Sequence, residues 1–264
     1  MNELLEIAIQ AAVSAGSEIM KIYPNDFEIS LKYDLSPLTE ADKKANEVIN
    51  TILKGTDIPL ISEENKQIDF EARKKFESCW MIDPLDGTKE FVKKSGEFTV
   101  NIALIKNKQP ILGVIYIPVT KTLYYALVAD NNGHKIQLKN HFFSTDMIKA
   151  AQLLVPSLPK ENNLIVVASR SHASKETLLY IADLEQSGKK ISLISRGSSL
   201  KFCLLAEGKA NIYPRFAPTM EWDTAAGHAI CNAVGLKVVD ADLNKELLYN
   251  KEDLLNPFFI VKAS

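Results

Sequence analysis

The sequence has 264 residues, enough for one large domain or two smaller ones, and its composition is that of an ordinary globular protein. Lys and Arg total 31 against 33 Asp and Glu, a formal charge of -2, and no basic stripe runs along the chain; this argues against a nucleic-acid polymer as partner but leaves open a small anion in a local cationic pocket. No apolar run approaches the length of a membrane span, and Cys79, Cys203 and Cys231 lie inside apolar runs with no ligand pattern, as buried free thiols of a reducing compartment would.

Leu4, Ala8, Ala11, Ala15, Ile19 and Ile22 recur at helical spacing, and Pro24 closes this first predicted helix. The helix opens with Glu3 and Glu6, which is no secretory signal, so a cytoplasmic location is expected. Lys32 to Pro37 is a polar loop without a clear period. Thr39 to Asp42 forms a T-x-x-D capping pattern ahead of Ala45, Val48, Ile49, Ile52 and Leu53, predicting a second helix that ends near Gly55. A short strand at 59–61 runs into Ser62-Glu63-Glu64, and 70–76 is helix-like. Cys79 to Ile82 then reads as a buried strand, ended by Pro84 and Gly87. Runs at 98–105, 111–117 and 122–128, separated by short turns, predict an antiparallel meander. The stretch 155–163, with two prolines and several polar residues, is the predicted boundary between an α+β unit (1–155) and an α/β unit (156–264). The second unit alternates strands at 164–168, 191–194, 210–213 and 236–239 with helices at 174–187, 199–207 and 224–233, and 236–239 is its last clear strand.

Asp83-Pro84-Leu85-Asp86-Gly87-Thr88 places two carboxylates three apart at the carboxyl end of a predicted strand, where open α/β sheets hold their ligands. Clustered carboxylate oxygens suit a hard divalent cation, and Gly-Thr ahead of a helical segment offers free N–H groups to phosphate. A plain Asp-Gly turn is the competing reading, but two close acids repel and raise each other's pKa unless a cation is present. Glu63, Asp83, Asp86 and Asp223 each stand just after a strand or just before a helix. Simpler roles stay open: a solvated pair for Glu63-Glu64, an N-cap for Asp223 ahead of Thr-Ala-Ala, an N-cap for Thr88, and the N3 partner of Thr39 for Asp42. Ser169-Arg170-Ser171-His172 and Arg196-Gly197-Ser198-Ser199 both fall between a strand and a helix, as ligand-contacting turns or as ordinary loops. Lys201 and Arg215 read by default as solvated surface charges. His134, His141 and His228 form no ligand or triad pattern, and no G-x-S-x-G, Walker or G-x-G-x-x-G motif is present, so serine-hydrolase, P-loop and dinucleotide-binding chemistry find no support.

Together, D-P-[IL]-D-G-T at Asp83 to Thr88, W-D-x-A-A-G at Trp222 to Gly227 and the upstream Glu63-Glu64 pair resemble the inositol monophosphatase superfamily of metal-dependent, lithium-sensitive phosphatases. Lys89-Glu90-Phe91, Gly96 to Leu104, Ser169 to His172, Gly197 to Cys203 and Tyr213-Pro214-Arg215 narrow the resemblance to its 3'(2'),5'-bisphosphate nucleotidases of the bacterial CysQ type. The resemblance runs over nearly the whole chain and is weakest from His134 to Asn163 and after Asp240. It implies a layered αβαβα sandwich of the inositol monophosphatase and fructose-1,6-bisphosphatase type, with a mixed antiparallel sheet in the first half and a smaller α/β second half. It also implies two or three magnesium ions held by Glu63, Asp83, Asp86, Asp223 and the Leu85 carbonyl, with lithium as an inhibitor. Thr88, supported by Asp42 and aided by Glu63, would orient the attacking water, and Gly87 and the Thr88 N–H would meet the phosphate beside Glu63, Leu85, Asp86 and Asp223. His172, Gly197, Ser198, Lys201 and Arg215 would surround the second phosphate and the base. The implied reaction is two-metal-assisted hydrolysis of the 3'-phosphate of adenosine 3',5'-bisphosphate to AMP and phosphate, with 3'-phosphoadenylyl sulfate as a related substrate, in sulfur assimilation and nucleotide recycling. Two alternatives stay open: an inositol- or sugar-phosphate phosphatase with the same metal site, and a nucleotide-binding sensor without turnover. The sequence leaves open the oligomeric state and any peripheral association with the inner face of the membrane.

Overall fold

The computed structural model describes residues 2–31, 37–159, 163–169 and 174–263. In chain order the elements are α1 (Glu3–Ile22), β1 (Ile29–Leu31), β2 (Pro37–Thr39), α2 (Glu40–Leu53), β3 (Leu60–Ser62), α3 (Phe70–Arg73), β4 (Ser78–Asp86), α4 (Thr88–Val92), β5 (Thr99–Lys106), β6 (Gln109–Ile117), β7 (Thr122–Leu127), β8 (Asn132–Gln137), β9 (Gln152–Leu153), β10 (Asn163–Ser169), α5 (Lys175–Gln186), β11 (Lys190–Arg196), α6 (Leu200–Ala206), β12 (Ile212–Arg215), α7 (Glu221–Ala233), β13 (Leu236–Asp240) and β14 (Phe259–Ala263). No helix among the described residues is long and apolar enough to cross a membrane.

β3 to β9 lie in chain order as one seven-stranded sheet, parallel between β3 and β4 and antiparallel from there on. Side chains alternate faces along each strand, and here both faces are apolar. Trp80, Ile82, Ile102, Leu104, Val114 and Tyr116 pack with the buried stripe of α1 and α2, while Met81, Ala103, Ile105 and Ile115 pack with α6, α7 and the second sheet. This sheet is therefore covered on both sides, which is why its strands read as unbroken apolar runs. The second sheet has the order β11-β10-β12-β14-β13. Its outer face, with Leu164, Val166, Ile212, Val239 and Ile260, packs against Tyr180, Ile181 and Leu184 of α5. The layers are thus α1/α2, seven strands, α6/α7, five strands, α5: an αβαβα sandwich.

Two glycines set how closely the central helices approach. A Cβ on Gly113 of β6 would stand 2.3 Å from the Ala226 carbonyl of α7, and one on Gly227 of α7 would stand 2.3 Å from the Phe202 ring of α6. α7 is thereby seated directly on the large sheet, which brings its first turn to the carboxyl end of β4.

The structure departs from the sequence expectations in four places. β4 does not stop at Pro84 but continues to Asp86 through a bulge, with Asp83 opposite Asn101 and Asp86 opposite Thr99. Three residues of β4 span two of β5, and the displaced stretch takes in Pro84, which cannot donate to a ladder. α7 begins at Glu221, a full turn before the predicted start, so Asp223 is not its N-cap but its third residue. Gly87, rather than Thr88, is the N-cap of α4. Finally, 236–239 is not the last strand: β14 follows and inserts between β12 and β13, antiparallel to both.

Candidate active site

The bulge in β4 has a chemical consequence. Two residues three apart on a regular strand point to opposite faces. One extra residue restores Asp86 to the side of Asp83, and their partners Asn101 and Thr99 share that face of β5. Both acids therefore look toward α7. Asp83 is 1% exposed and accepts the Leu85 N–H at Oδ1 (3.0 Å). Asp86 receives the hydroxyls of Ser198 (2.8 Å) and Ser199 (2.9 Å) at Oδ2, with the Asn101 amide at 3.2 Å. Asp223 comes from the other half: from inside the first turn of α7 its Oδ2 accepts the Met220 N–H (2.8 Å), closing the helix start that Met220 cannot cap. Glu63 follows β3, with its N–H on the Ile82 carbonyl (3.1 Å).

Electrostatically these acids form one group. Asp83 is pushed well above the usual carboxylate range by burial and by the charges of Glu63, Asp86 and Asp223. Asp223 keeps some exposure to the cleft, yet burial, Asp86 and Glu63 push it up to about 8, against the Met220 N–H and Arg215, which lower it. So much mutually repelling oxygen in one place fits a hard divalent cation on donor chemistry. Among the described residues no three His, Cys, Asp or Glu side chains already stand as a closed ligand set; the acids share a cleft without forming a preformed cage.

Asp42 answers its two sequence readings with one oxygen each. Oδ2 accepts the Thr39 N–H (2.8 Å) and the Thr39 hydroxyl (2.6 Å), capping α2, while Oδ1 lies 3.0 Å from the Thr88 hydroxyl. The Leu85 carbonyl is 3.3 Å from the same hydroxyl. Gly87, at φ 96°, makes the left-handed turn that starts α4 and leaves room for the Glu97 carbonyl, 3.1 Å from where a Cβ would sit.

The opposite wall is the β11–α6 turn with β12. Gly197 donates its N–H to Glu97 (2.8 Å), and Ser198 adopts the left-handed region at φ 51°. Lys201 is not a solvated charge: it is 4% exposed, bonded to the carbonyls of Ser198 and Arg196 and set over the Tyr213 ring. Burial, opposed by Asp86 and helped by Arg215, lowers its pKa to about 8. Arg215 is half-buried, with one bond to the Pro218 carbonyl (3.2 Å) and a buried Nε without a partner. Glu63, Asp83, Leu85, Asp86, Gly87, Thr88, Gly197, Ser198, Lys201, Arg215 and Asp223 all line one cavity of about 330 Å³. Asp42 stands behind Thr88, and His172 lies outside the described residues.

Sequence reasoning missed Thr99 and Asn101 and read Ser199 only as part of a ligand-contacting turn; all three are buried against Asp86. A signal was there: Thr99 and Asn101 are polar residues, two apart, just before the apolar run Ile102 to Ile105 of the same buried strand. Fold and site together define the class, a five-layered α/β sandwich with an acidic cleft at strand ends, able to take a hard cation and a phosphate ester. The sequence matches the inositol monophosphatase family over residues 1–261. The chain belongs to that family. It is 45% identical over 263 residues to the 3'(2'),5'-bisphosphate nucleotidase CysQ of Salmonella typhimurium, covering 98% of this chain and 99% of that protein. Among solved structures, CysQ from Bacteroides thetaiotaomicron is 50% identical with a TM-score of 0.89, covering 98% of this chain and 96% of that one. The inositol monophosphatase of Thermotoga maritima, 21% identical with a TM-score of 0.76, covers 99% of this chain and 92% of its own, and shares the fold.

Proposed function

We propose that this chain is a magnesium-dependent 3'(2'),5'-bisphosphate nucleotidase that hydrolyses the 3'-phosphate of adenosine 3',5'-bisphosphate. The observation that carries the reading is the single cleft in which four acids face Lys201 and Arg215. The 45% identity, over 98% of the chain, with a protein named for that activity supports it.

Glu63, Asp83, Asp86, Asp223 and the Leu85 carbonyl would hold two or three magnesium ions, which supply charge for the developing phosphate negative charge and acidify the attacking water. The chain's own groups do the positioning. Thr88 spends its single proton on Asp42 or the Leu85 carbonyl, so toward the cleft its oxygen can only accept. It therefore accepts a hydrogen bond from the attacking water and turns a water lone pair toward phosphorus. Asp42 can hold Thr88 this way because its other oxygen is already saturated by Thr39. Glu63 flanks the same water. Gly87, which leaves backbone room, and the Thr88 N–H meet the transferred phosphate.

At the other wall, Lys201 has three donors and two carbonyl acceptors, which leaves one for a phosphate oxygen. Arg215, Ser198 and Gly197 complete that wall, and His172 is proposed with them on its sequence motif. We divide the work accordingly: residues 1–155 hold most of the acids, and 156–264 supply Asp223 and the nucleotide contacts. The three buried free cysteines support a cytoplasmic setting.

Phosphate release from adenosine 3',5'-bisphosphate and from inositol 1-phosphate, each with and without magnesium, tests the reading. Magnesium-dependent preference for the bisphosphate is expected. Equal or greater turnover of inositol phosphate points to the broader phosphatase instead, and nucleotide binding without phosphate release points to a sensor.

A further inference from the structure

Asp86 and Asp223 come from opposite halves of the chain, and something must hold them in register. The structure offers a buried polar seam that does so. Asn101 is fully buried on β5; its Nδ2 lies 2.9 Å from the Ser199 hydroxyl and 3.2 Å from Asp86 Oδ2. The amide orientation is dictated by chemistry, because a carboxylate oxygen can only accept and so must face the NH2 group. The Asn101 carbonyl oxygen in turn takes the Thr99 hydroxyl (2.9 Å). Ser199, 2% exposed at the start of α6, accepts from Asn101 and has one proton for two acceptors, Asp86 Oδ2 at 2.9 Å and the Asp223 carbonyl at 3.0 Å. One hydroxyl thus touches both acids' residues, and one amide fixes that hydroxyl. The donors gather on Oδ2 of Asp86, while Oδ1 receives none of them.

We propose that Asn101 and Ser199 are positioning residues for the cation site: they pin Asp86 through Oδ2, present Oδ1 to the ion, and tie Asp86 to Asp223 across the seam between the halves. The proposal rests on the metal reading above and deepens it. Buried groups that orient metal-binding carboxylates carry a recognised share of metal affinity. A merely structural seam would affect folding but not the ion.

The test is calorimetric titration of magnesium into the chelator-treated full-length protein, for wild type, Asn101→Ala, Ser199→Ala and Ser199→Thr. Magnesium dependence of turnover is then split into kcat and the magnesium KM. Both alanine variants should weaken magnesium about tenfold or more, raising the magnesium KM more than the substrate KM. Ser199→Thr, which keeps the hydroxyl, should recover most of the affinity. If Asn101→Ala does not fold, the decision falls to Ser199→Ala, which removes one oxygen. Wild-type magnesium affinity in a folded alanine variant overturns the positioning role while leaving the metal site standing. A wild-type protein that binds no magnesium overturns the metal reading itself, and this proposal with it.

Discussion

At the acidic end of the cleft each functional group is fastened by the protein before any ligand arrives: Asp83 by the Leu85 N–H, Asp86 by two serine hydroxyls and an amide, Asp223 by the Met220 N–H, Thr88 by Asp42. At the cationic end the fastening is looser. Lys201 leans on two carbonyls, and Arg215 makes one bond to a carbonyl and keeps an unpartnered Nε. The difference suits the two tasks proposed for them. An attacking water must be aligned to within a fraction of an ångström, so the groups that place it must not move. A non-reacting phosphate needs charge within reach, and long cationic side chains can close on it. The acidic end is fastened throughout by hydrogen bonds, whereas at the cationic end Arg215 keeps a freedom that buried Lys201 does not.

The sharpest way to break this comparison is at Asp83. Asp83→Asn should lower phosphate release about a thousandfold, the scale on which a preorganised electrostatic group acts. The same change should raise the melting temperature of the chelated protein at neutral pH, since it removes a buried acid that must either carry charge beside Glu63, Asp86 and Asp223 or take up a proton to fold. Activity close to wild type in a folded Asp83→Asn protein would mean that the acidic end does not hold the catalytic cation.

Next come Thr88 and Asp42. Thr88→Val and Asp42→Asn should each reduce kcat about a hundredfold, and the double variant should lose little more than either, because the two act as one unit. Stability separates them. Asp42 also caps α2 through Oδ2, so Asp42→Asn should cost about 1 kcal/mol that Thr88→Val does not. Additive kinetic losses in the double variant would show that the 3.0 Å contact carries no shared function.

The cationic end is tested by substrate rather than by rate alone. Arg215→Ala should lower kcat/KM for adenosine 3',5'-bisphosphate about ten- to a hundredfold, the worth of one charge-assisted hydrogen bond. Turnover of inositol 1-phosphate, which has no second phosphate, should change little. Equal losses on both substrates would place Arg215 in general stability or catalysis and remove the basis for bisphosphate preference.

How much of this was legible beforehand divides along the same line. The acids of Asp83 to Thr88 and Asp223 were readable because their chemistry is local: residue types, short spacing, strand ends. The helices of the first half were readable from apolar spacing and the Thr39 cap. What was not readable depends on distant pairing. The bulge that puts Asp83 and Asp86 on one face is defined by a register with Asn101 and Thr99, not by β4 alone. β14 takes its place between β12 and β13 only once the sheet is assembled. Asp223 looked like an N-cap because the usual capping residues were counted from the N-terminal side, whereas Met220 leaves the cap empty and Asp223 fills it from within. Lys201 looked like a surface charge because nothing local says that Tyr213 and the Ser198 and Arg196 carbonyls will enclose it.

The smallest expected effect is a pH dependence that also sharpens the contrast between the two ends. In the chelated protein Asp223 is held at about 8, far above its ordinary value of 3.8. Between those two values the folded state binds a proton that the unfolded state has released. Stability therefore falls as pH rises from about 4 to about 8, and it is level outside that window. Asp83, shifted in the same direction by the same neighbours, adds to the slope. The melting temperature of chelator-treated protein should drop by several degrees between pH 5 and pH 8, roughly the response of a domain this size to a loss of 1–2 kcal/mol. Magnesium should remove most of that drop by occupying the acids in place of protons, and Asp223→Asn should flatten the chelated curve. Lys201 titrates above that window: between its lowered value of about 8 and the ordinary 10.5 the folded state has released a proton that the unfolded state keeps, so stability rises with pH there. Lys201→Met should therefore remove the rise above pH 8 and leave in place the fall that Asp223→Asn flattens. A chelated wild-type curve that rises between pH 5 and pH 8 would show that the acids do not take up protons on folding and would remove the mutual repulsion argued for the acidic end.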